Sequence, residues 1–138
     1  MLRKFPTFKK RGEWVEQLFL AVVLGLGLNA SRPIGDSCTY DVIVEGRKGR
    51  LSRVQVKSVS TPCSRWRQLY RVACWRGAML PYSARQIDYV AAYVIPESAW
   101  FIIPVRALRG RREIFVRPTD PTKASRYAPY REAWHLLS

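Results

Sequence analysis

The sequence predicts an α/β fold, in which an N-terminal helix packs on a mixed β-sheet of about five strands. Three observations carry that class. Trp14, Leu18, Ala21, Val22 and Gly25 recur at spacings of three and four, the period of a helix with one apolar face. From residue 39 onward the pattern changes to short runs rich in Val, Ile and Tyr, punctuated by Gly and Pro. Two of these runs, 87–95 and 99–104, are apolar at nearly every position, as strands buried on both faces are.

In chain order, residues 1–11 are basic and read as an arm laid along a partner. The helix is expected from Gly12 to about Leu28, with Gly27 and Asn29 as its stop. Glu13, Glu16 and Gln17 lie on its less apolar side. Residues 31–36 (Ser-Arg-Pro-Ile-Gly-Asp) are a loop by composition. Runs at 39–45 and 50–58 flank the turn Gly46-Arg47-Lys48-Gly49, which is a hairpin signal. Pro62 ends the second run, and 67–75 alternates well enough to be a third strand. Pro81 breaks the chain before the two apolar strands, which Pro96-Glu97-Ser98 separates. Arg106, Arg109, Arg111 and Arg112 mark a solvated or phosphate-facing turn. Residues 114–116 read as a short strand or edge, and 133–137 as a final helical turn. No internal repeat and no low-complexity tract is present.

The 138 residues read as one domain, with a core at about 10–117, the basic arm at 1–11 and a Pro- and aromatic-containing tail at 118–138. A hydrophobic fraction of 48% excludes a disordered chain. Charge is the strongest bulk signal: 24 Lys and Arg against 10 Asp and Glu give +14 and a pI near 10.5. Such a chain suits a polyanion, of which nucleic acid is the commonest; an anionic membrane surface or a ribosomal role is the blander reading. Cys38, Cys63 and Cys74 are widely and irregularly spaced and His135 is the single histidine, so a zinc finger or disulfide framework is not expected. Reduced thiols in a cytoplasm are the simplest account. The apolar run 18–28 is too short to span a bilayer, which takes about 20 residues, and acidic residues precede it where a signal peptide would be basic.

The chemistry sits in the hairpin. Side chains alternate faces along a strand, so Gln55 and Lys57 share one face while Val54 and Val56 take the other. On the first strand Tyr40, Val42 and Val44 form the apolar set, which turns Asp41 away from them. Pairing the valines in the core gathers Asp41, Gln55 and Lys57 on the opposite side. Taken singly, each has a plainer reading: Lys57 as an edge lysine, Glu16 as a first-turn glutamate favoured by the helix dipole. Asp36 reads as a turn residue or alternative ligand, Glu45 as a solvated one, and Asp88 as a cap or an arginine's partner. Tyr82, Tyr93, Tyr127, Tyr130 and Trp134 read as core or subunit interface.

As an ordered set the residues are more specific. Gly12-x-x-x-Glu16, Gly35-Asp36-x-x-x-Tyr40-Asp41-x-Ile43-Val44 and Val54-Gln55-Val56-Lys57 are followed by Tyr82-Ser83, Ile87-Asp88-Tyr89-x-Ala91-x-Tyr93 and Trp100-x-Ile102-Ile103-Pro104. This order, over roughly residues 10–105, resembles the PD-(D/E)XK nucleases, most closely the compact branch that includes group I intron-associated homing endonucleases. The resemblance implies a restriction-endonuclease-like core. It makes Asp41 the metal-binding aspartate, Gln55 and Lys57 the (D/E)-x-K pair, and Glu16 the helix-borne ligand completing the metal sphere. Tyr40 stands where the family's proline would be, and Gln55 replaces the second acid.

The activity implied is Mg2+-dependent hydrolysis of DNA phosphodiesters, with Mn2+ expected to substitute. A hard cation wants oxygen donors such as those of Glu16, Asp41 and Gln55, and Lys57 would stabilise charge developing on the phosphate. Double-stranded DNA is the expected partner, with Arg47, Lys48, Arg50 and Arg53 as phosphate contacts beside the site. Cutting both strands takes two sites, hence a homodimer or higher oligomer. A Holliday-junction resolvase-like enzyme and a catalytically idle DNA-binding protein on the same fold are the alternatives; a basic RNA-binding protein would leave the acids unexplained.

Overall fold

The computed structural model describes residues 4–63, 68–119 and 125–138. Helix α1 spans Phe8–Gly25 and begins four residues before the expected Gly12. Its start is set by Thr7, in extended conformation, whose Oγ1 accepts a hydrogen bond from the Lys10 N–H at 3.0 Å. Residues 8–11 of the expected arm are therefore helical. The other end closes as a Schellman motif: Gly27 takes φ 79°, its N–H donates to the Leu24 carbonyl, and the Leu28 N–H reaches back to Val23. Val15, Phe19 and Val23, four apart, form the buried stripe of the helix.

The strands follow as β1 (Asn29–Ser31), β2 (Val42–Glu45), β3 (Leu51–Val59), β4 (Tyr70–Ala73), β5 (Trp75–Arg76), β6 (Leu80–Pro81), β7 (Tyr89–Val94), β8 (Ala99–Pro104) and β9 (Glu113–Val116). A one-turn helix α2 (Val105–Leu108) stands between β8 and β9 in the arginine-rich stretch, and 3-10 turns at 95–97, 128–130 and 134–137 complete the elements. Five strands form the main sheet in the order β1-β2-β3-β7-β8. The β3–β7 pair is parallel and the rest antiparallel, so the sheet is mixed as expected.

Its membership differs from the expectation in one place. The run expected as the third strand lies outside the main sheet: β4 pairs with β9 in a separate two-stranded ribbon. The reason is chemical. Tyr70 and Val72 are buried while Arg71 is exposed, so β4 has one apolar face and can lie on a sheet but not within its centre. In the main sheet β7 lies between β3 and β8, and β8 closes one edge; both are buried at all six positions. β1, three residues long, takes the vacant edge; so short a strand leaves no periodicity to read.

Two cores result, one on each face. On the α1 side Val15, Phe19 and Val23 meet Val42, Val44, Val54, Val56, Ala91 and Ile102. On the far side β4 and β9 cover Val90, Ala92, Val94, Phe101 and Ile103. The C-terminal tail serves both cores: Tyr127 and Tyr130 pack on the second, residues 133–137 on the first. Glu132 accepts from the Trp100 N–H (2.9 Å) and the Trp134 indole (2.7 Å), and Ala133 and Leu137 are buried. Gly46, in the β2–β3 turn, packs so closely on this tail that a Cβ there would come 2.8 Å from the Ser138 carbonyl carbon. Among the described residues no helix is long and apolar enough to cross a membrane.

Phe19 is fully buried against the rings of Trp100 and Trp134 at centroid distances of 5.6 and 5.8 Å. Phe19→Ala should cost about 3–5 kcal/mol by denaturant unfolding. Leu24→Ala, on the solvent side of the same helix, should stay within about 0.5 kcal/mol. Equal losses would contradict this placement of the core.

Candidate active site

The site forms where β2 leaves β3. Their register ends at Val42 opposite Val54, while β3 runs on to Val59 paired only with β7. The expected strand 39–45 therefore begins at 42, and its alternation breaks at Asp41: Val42 and Val44 join the α1-side core, whereas Tyr40 packs on the far-side core. Asp41 stands at this divergence. Its N–H donates to the Val54 carbonyl (2.9 Å), and its Oδ2 accepts the Val56 N–H at 2.8 Å, in place of a β2 backbone oxygen.

The N-terminal half of α1 lies over the opened edge. Arg11, Gly12, Val15, Glu16, Val56, Lys57 and Ser58 share the lining of a cavity of about 270 Å³. Burial raises the pKa of Asp41, opposed by the Val56 N–H and then by the charges of Lys57 and Arg32. Glu16 is raised too, first by burial and next by the charge of Asp41. Arg32, 3.6 Å from a Glu16 oxygen, pulls the other way. Lys57 is half-buried, with its ammonium 5.4 Å from the centroid of the Tyr82 ring. Burial lowers its pKa, and the charges of Cys74 and Asp41 would oppose this. The buried Cys74 thiol is itself pushed up to about 12. Among the described residues no carboxylate lies within 4.0 Å of the Lys57 ammonium.

Asp41 is thus in electrostatic reach of both Glu16 and Lys57. Gln55 occupies the β3 position that continues the register opposite Asp41. Its Nε2 makes one long contact with the Val56 carbonyl at 3.5 Å, and its Oε1 accepts no hydrogen bond among the described residues. Asp36 stays in the exposed loop and Glu45 is exposed at the end of β2. Asp88 pairs with an arginine, as expected, at 3.1 Å from Arg53. That pairing takes up Arg53, whose guanidinium also donates to the carbonyls of Ala84 and Arg85.

Of the hairpin cations, Arg47, Lys48 and Arg50 are not beside the site, whereas Arg53 stands on β3 two residues from Gln55. The 46–49 turn leads into the Leu51 end of β3, six residues or about 20 Å of extended chain from Lys57. It abuts the C-terminus instead: Arg47 donates to the Leu26 carbonyl (3.4 Å), and Arg50 to the Tyr89 hydroxyl (2.9 Å). Sequence reasoning also missed Arg32, the cation flanking both carboxylates, because it sits in an irregular loop with no periodicity to orient it.

A helix and mixed sheet with two carboxylates and a desolvated lysine at an opened strand edge define a nuclease-like α/β protein. The PD-(D/E)XK endonuclease family matches residues 7–137, and the chain belongs to it. Among solved structures it is similar to a bacterial homing endonuclease, I-Ssp6803I, at 28% identity and a TM-score of 0.83, over 95% of this chain and 93% of that one. It also shares its fold with Hjc, a Holliday junction resolvase from Archaeoglobus fulgidus. That match has 18% identity and a TM-score of 0.57, over 92% of this chain and 95% of that one. No curated protein sequence matches.

A carboxyl whose pKa is raised by folding holds its proton more tightly in the folded chain. Its contribution favours the fold below the unfolded pKa and is lost as pH rises through the folded one. Ionised at neutral pH, Asp41 and Glu16 are both destabilising. Asp41→Asn keeps an oxygen for the Val56 N–H and removes the charge. Its unfolding midpoint at pH 7 should rise, with the gain shrinking as pH falls toward the ordinary carboxylate range. A lower midpoint at pH 7 would refute this electrostatic picture.

Proposed function

We propose that this chain is a divalent-metal-dependent DNA endonuclease that hydrolyses phosphodiester bonds, with Mg2+ as the working ion and Mn2+ able to replace it. One observation carries the reading. Two desolvated carboxylates, each with a raised pKa, stand at one strand edge beside a lysine that has no carboxylate within 4.0 Å among the described residues. A binding surface gains nothing from that crowding; a cation between the acids relieves it.

The donor set fits such an ion. Glu16 and Asp41 offer carboxylate oxygens, and Gln55 a neutral amide oxygen with no competing donor among the described residues. Those residues include no group of three or more His, Cys, Asp or Glu, so softer metals have no ligand set there. When bound, the cation supplies Lewis acidity to the scissile phosphate and to an attacking water. The chain's own residues do the rest. The Val56 N–H fixes one Asp41 oxygen, and the other would remain as a ligand for the ion. Lys57, a compact cation on a rigid strand and backed by the Tyr82 ring, stabilises charge growing on the phosphoryl oxygens. Arg32, 3.6 Å from a Glu16 oxygen, offsets part of what burial costs that carboxylate.

The substrate we infer is double-stranded DNA, on the strength of the +14 charge and the likeness to a homing endonuclease. We read the chain as one nuclease domain carrying one site, so cleavage of both strands calls for a homodimer or a larger assembly. Arg47 and Lys48, at the hairpin turn, would hold duplex away from the cut rather than at it; Arg50 and Arg53, already bonded within the fold, have fewer donors to offer.

Nicking of supercoiled plasmid should appear with Mg2+ or Mn2+ and vanish with EDTA. Asp41→Ala and Lys57→Ala should each lower the rate by at least about 10²–10³-fold while duplex binding persists. The rate should fall on the acid side as the carboxylates protonate, above the ordinary carboxylate range, and on the basic side below the ordinary lysine value. Full activity in Asp41→Ala, or cutting in EDTA, would remove the assignment. Separately, Arg47→Glu with Lys48→Glu should weaken binding to every duplex alike, because phosphate contacts carry no sequence information. Competition among unrelated duplexes checks this; sequence-selective loss would point to base contact instead.

A further inference from the structure

Arg11 is placed at odds with the rest of α1. It sits near the helix N-terminus, where the macrodipole disfavours cations, and the first turn holds no acid to compensate. Its neighbour Lys10 pairs with Glu13 at 3.5 Å. Arg11 has no carboxylate partner among the described residues, although it is half-buried and its pKa is lowered by that burial.

The guanidinium is nevertheless held in place. Nε donates to Ser58 Oγ at 3.0 Å, one terminal nitrogen donates to Ser60 Oγ at 2.8 Å, and the other makes a long bond of 3.4 Å to the Ser58 carbonyl. The Phe8 ring centroid lies 5.0 Å from its central carbon. A guanidinium has about five N–H donors; with three placed, roughly one remains on each terminal nitrogen. Ser58 lies on β3 just beyond Lys57, and Ser60 directly follows the end of that strand, along the edge that β2 leaves uncovered. Arg11 lines the cavity that holds Glu16 and Lys57, and also a cleft of about 610 Å³ that continues past Ser60, Thr61 and Trp75. The cleft's one carboxylate, Glu113, is paired with Arg71 at 3.6 Å.

We infer that Arg11 is a phosphate-binding residue of the active site, its two free N–H groups holding a backbone phosphate of the cut strand beside the scissile one as that strand passes from the cavity into the cleft. This rests on the nuclease reading above and deepens it. A preformed, serine-braced fork suits two phosphate oxygens at once. The missing carboxylate is then accounted for: an internal acid would compete with the DNA. Arg11 touches neither the attacking nor the leaving oxygen, so its role is positioning.

The test has two readouts. The first is the salt dependence of binding to a random-sequence duplex by fluorescence anisotropy. Arg11→Ala should reduce the slope of log K against log salt by about 0.9, the value for one phosphate contact. Arg11→Lys, which keeps the charge, should retain the slope. The second readout is nicking of supercoiled plasmid at saturating protein. There Arg11→Ala should lose about 10- to 100-fold in rate, and Arg11→Lys should recover part of that rate. Arg11→Gln keeps donors for the serines without the charge; it should behave like Arg11→Ala, and it serves if the alanine variant fails to fold.

An unchanged salt slope in Arg11→Gln overturns the proposal, whatever happens to stability, because a brace between α1 and β3 would not move it. A reduced slope with an unchanged saturated rate overturns the placement beside the cut. If the wild-type protein nicks no plasmid with Mg2+ or Mn2+, the nuclease reading fails. The slope then still decides whether Arg11 holds a phosphate.

Discussion

The structure turns on one hydrogen bond, from the Val56 N–H to the Asp41 carboxylate. A β-strand that loses its neighbour exposes backbone donors, and a buried donor left alone is costly. Here a side chain from the departing strand takes the first such donor. β2 can therefore leave β3 at mid-length, and the gap opens where a helix lies overhead. Glu16 reaches the edge from α1, Lys57 stands one residue beyond the capped N–H, and Arg11 braces the serines past it. Had β2 continued in register, backbone would fill that space.

Rigidity around the gap comes from the rest of the sheet. β7, parallel to β3 along its whole free length, holds that strand from the other side, and both faces of β7 and β8 are covered. An edge with a buried, two-sided neighbour cannot bend toward a ligand without disturbing two cores. The aromatic group of Phe19, Trp100 and Trp134 locks α1 to β8, which fixes how far Glu16 projects over the edge. Precision in the site is thus inherited from packing several residues away.

What the sequence disclosed depended on period. Alternation along 50–58 separated Gln55 and Lys57 from Val54 and Val56, and the burial pattern of β3 follows it. The helical repeat found α1 but misjudged its face. The expected Trp14, Leu18, Ala21, Val22 and Gly25 give way to Val15, Phe19 and Val23 as the buried stripe, because the apolar run 18–28 blurs the repeat. The two-faced apolar runs found β7 and β8. Irregular features were the ones misplaced. Thr7 as a cap, β1 at three residues and Arg32 in a loop leave no repeat. β4 has the right period, but period does not say whether a half-apolar strand lies in a sheet or upon one. The hairpin turn looked adjacent to Asp41 because four residues are few in sequence; extended along a strand, they carry the turn to the far end of the sheet.

The local charges oppose the stability of the fold and share a direction. Burial raises two carboxylates, lowers a lysine, and leaves an arginine at the wrong end of a helix dipole without an acid. Random drift would not concentrate four such penalties around one strand edge. Under the proposed function each would be relieved on binding: by a cation for Glu16 and Asp41, and by phosphate oxygens for Lys57 and Arg11. Ligands that bind only the folded state stabilise it in proportion to their affinity. The same charges that weaken the free protein therefore favour the complex, and the chain's excess of positive charge acts in the same sense over the whole surface.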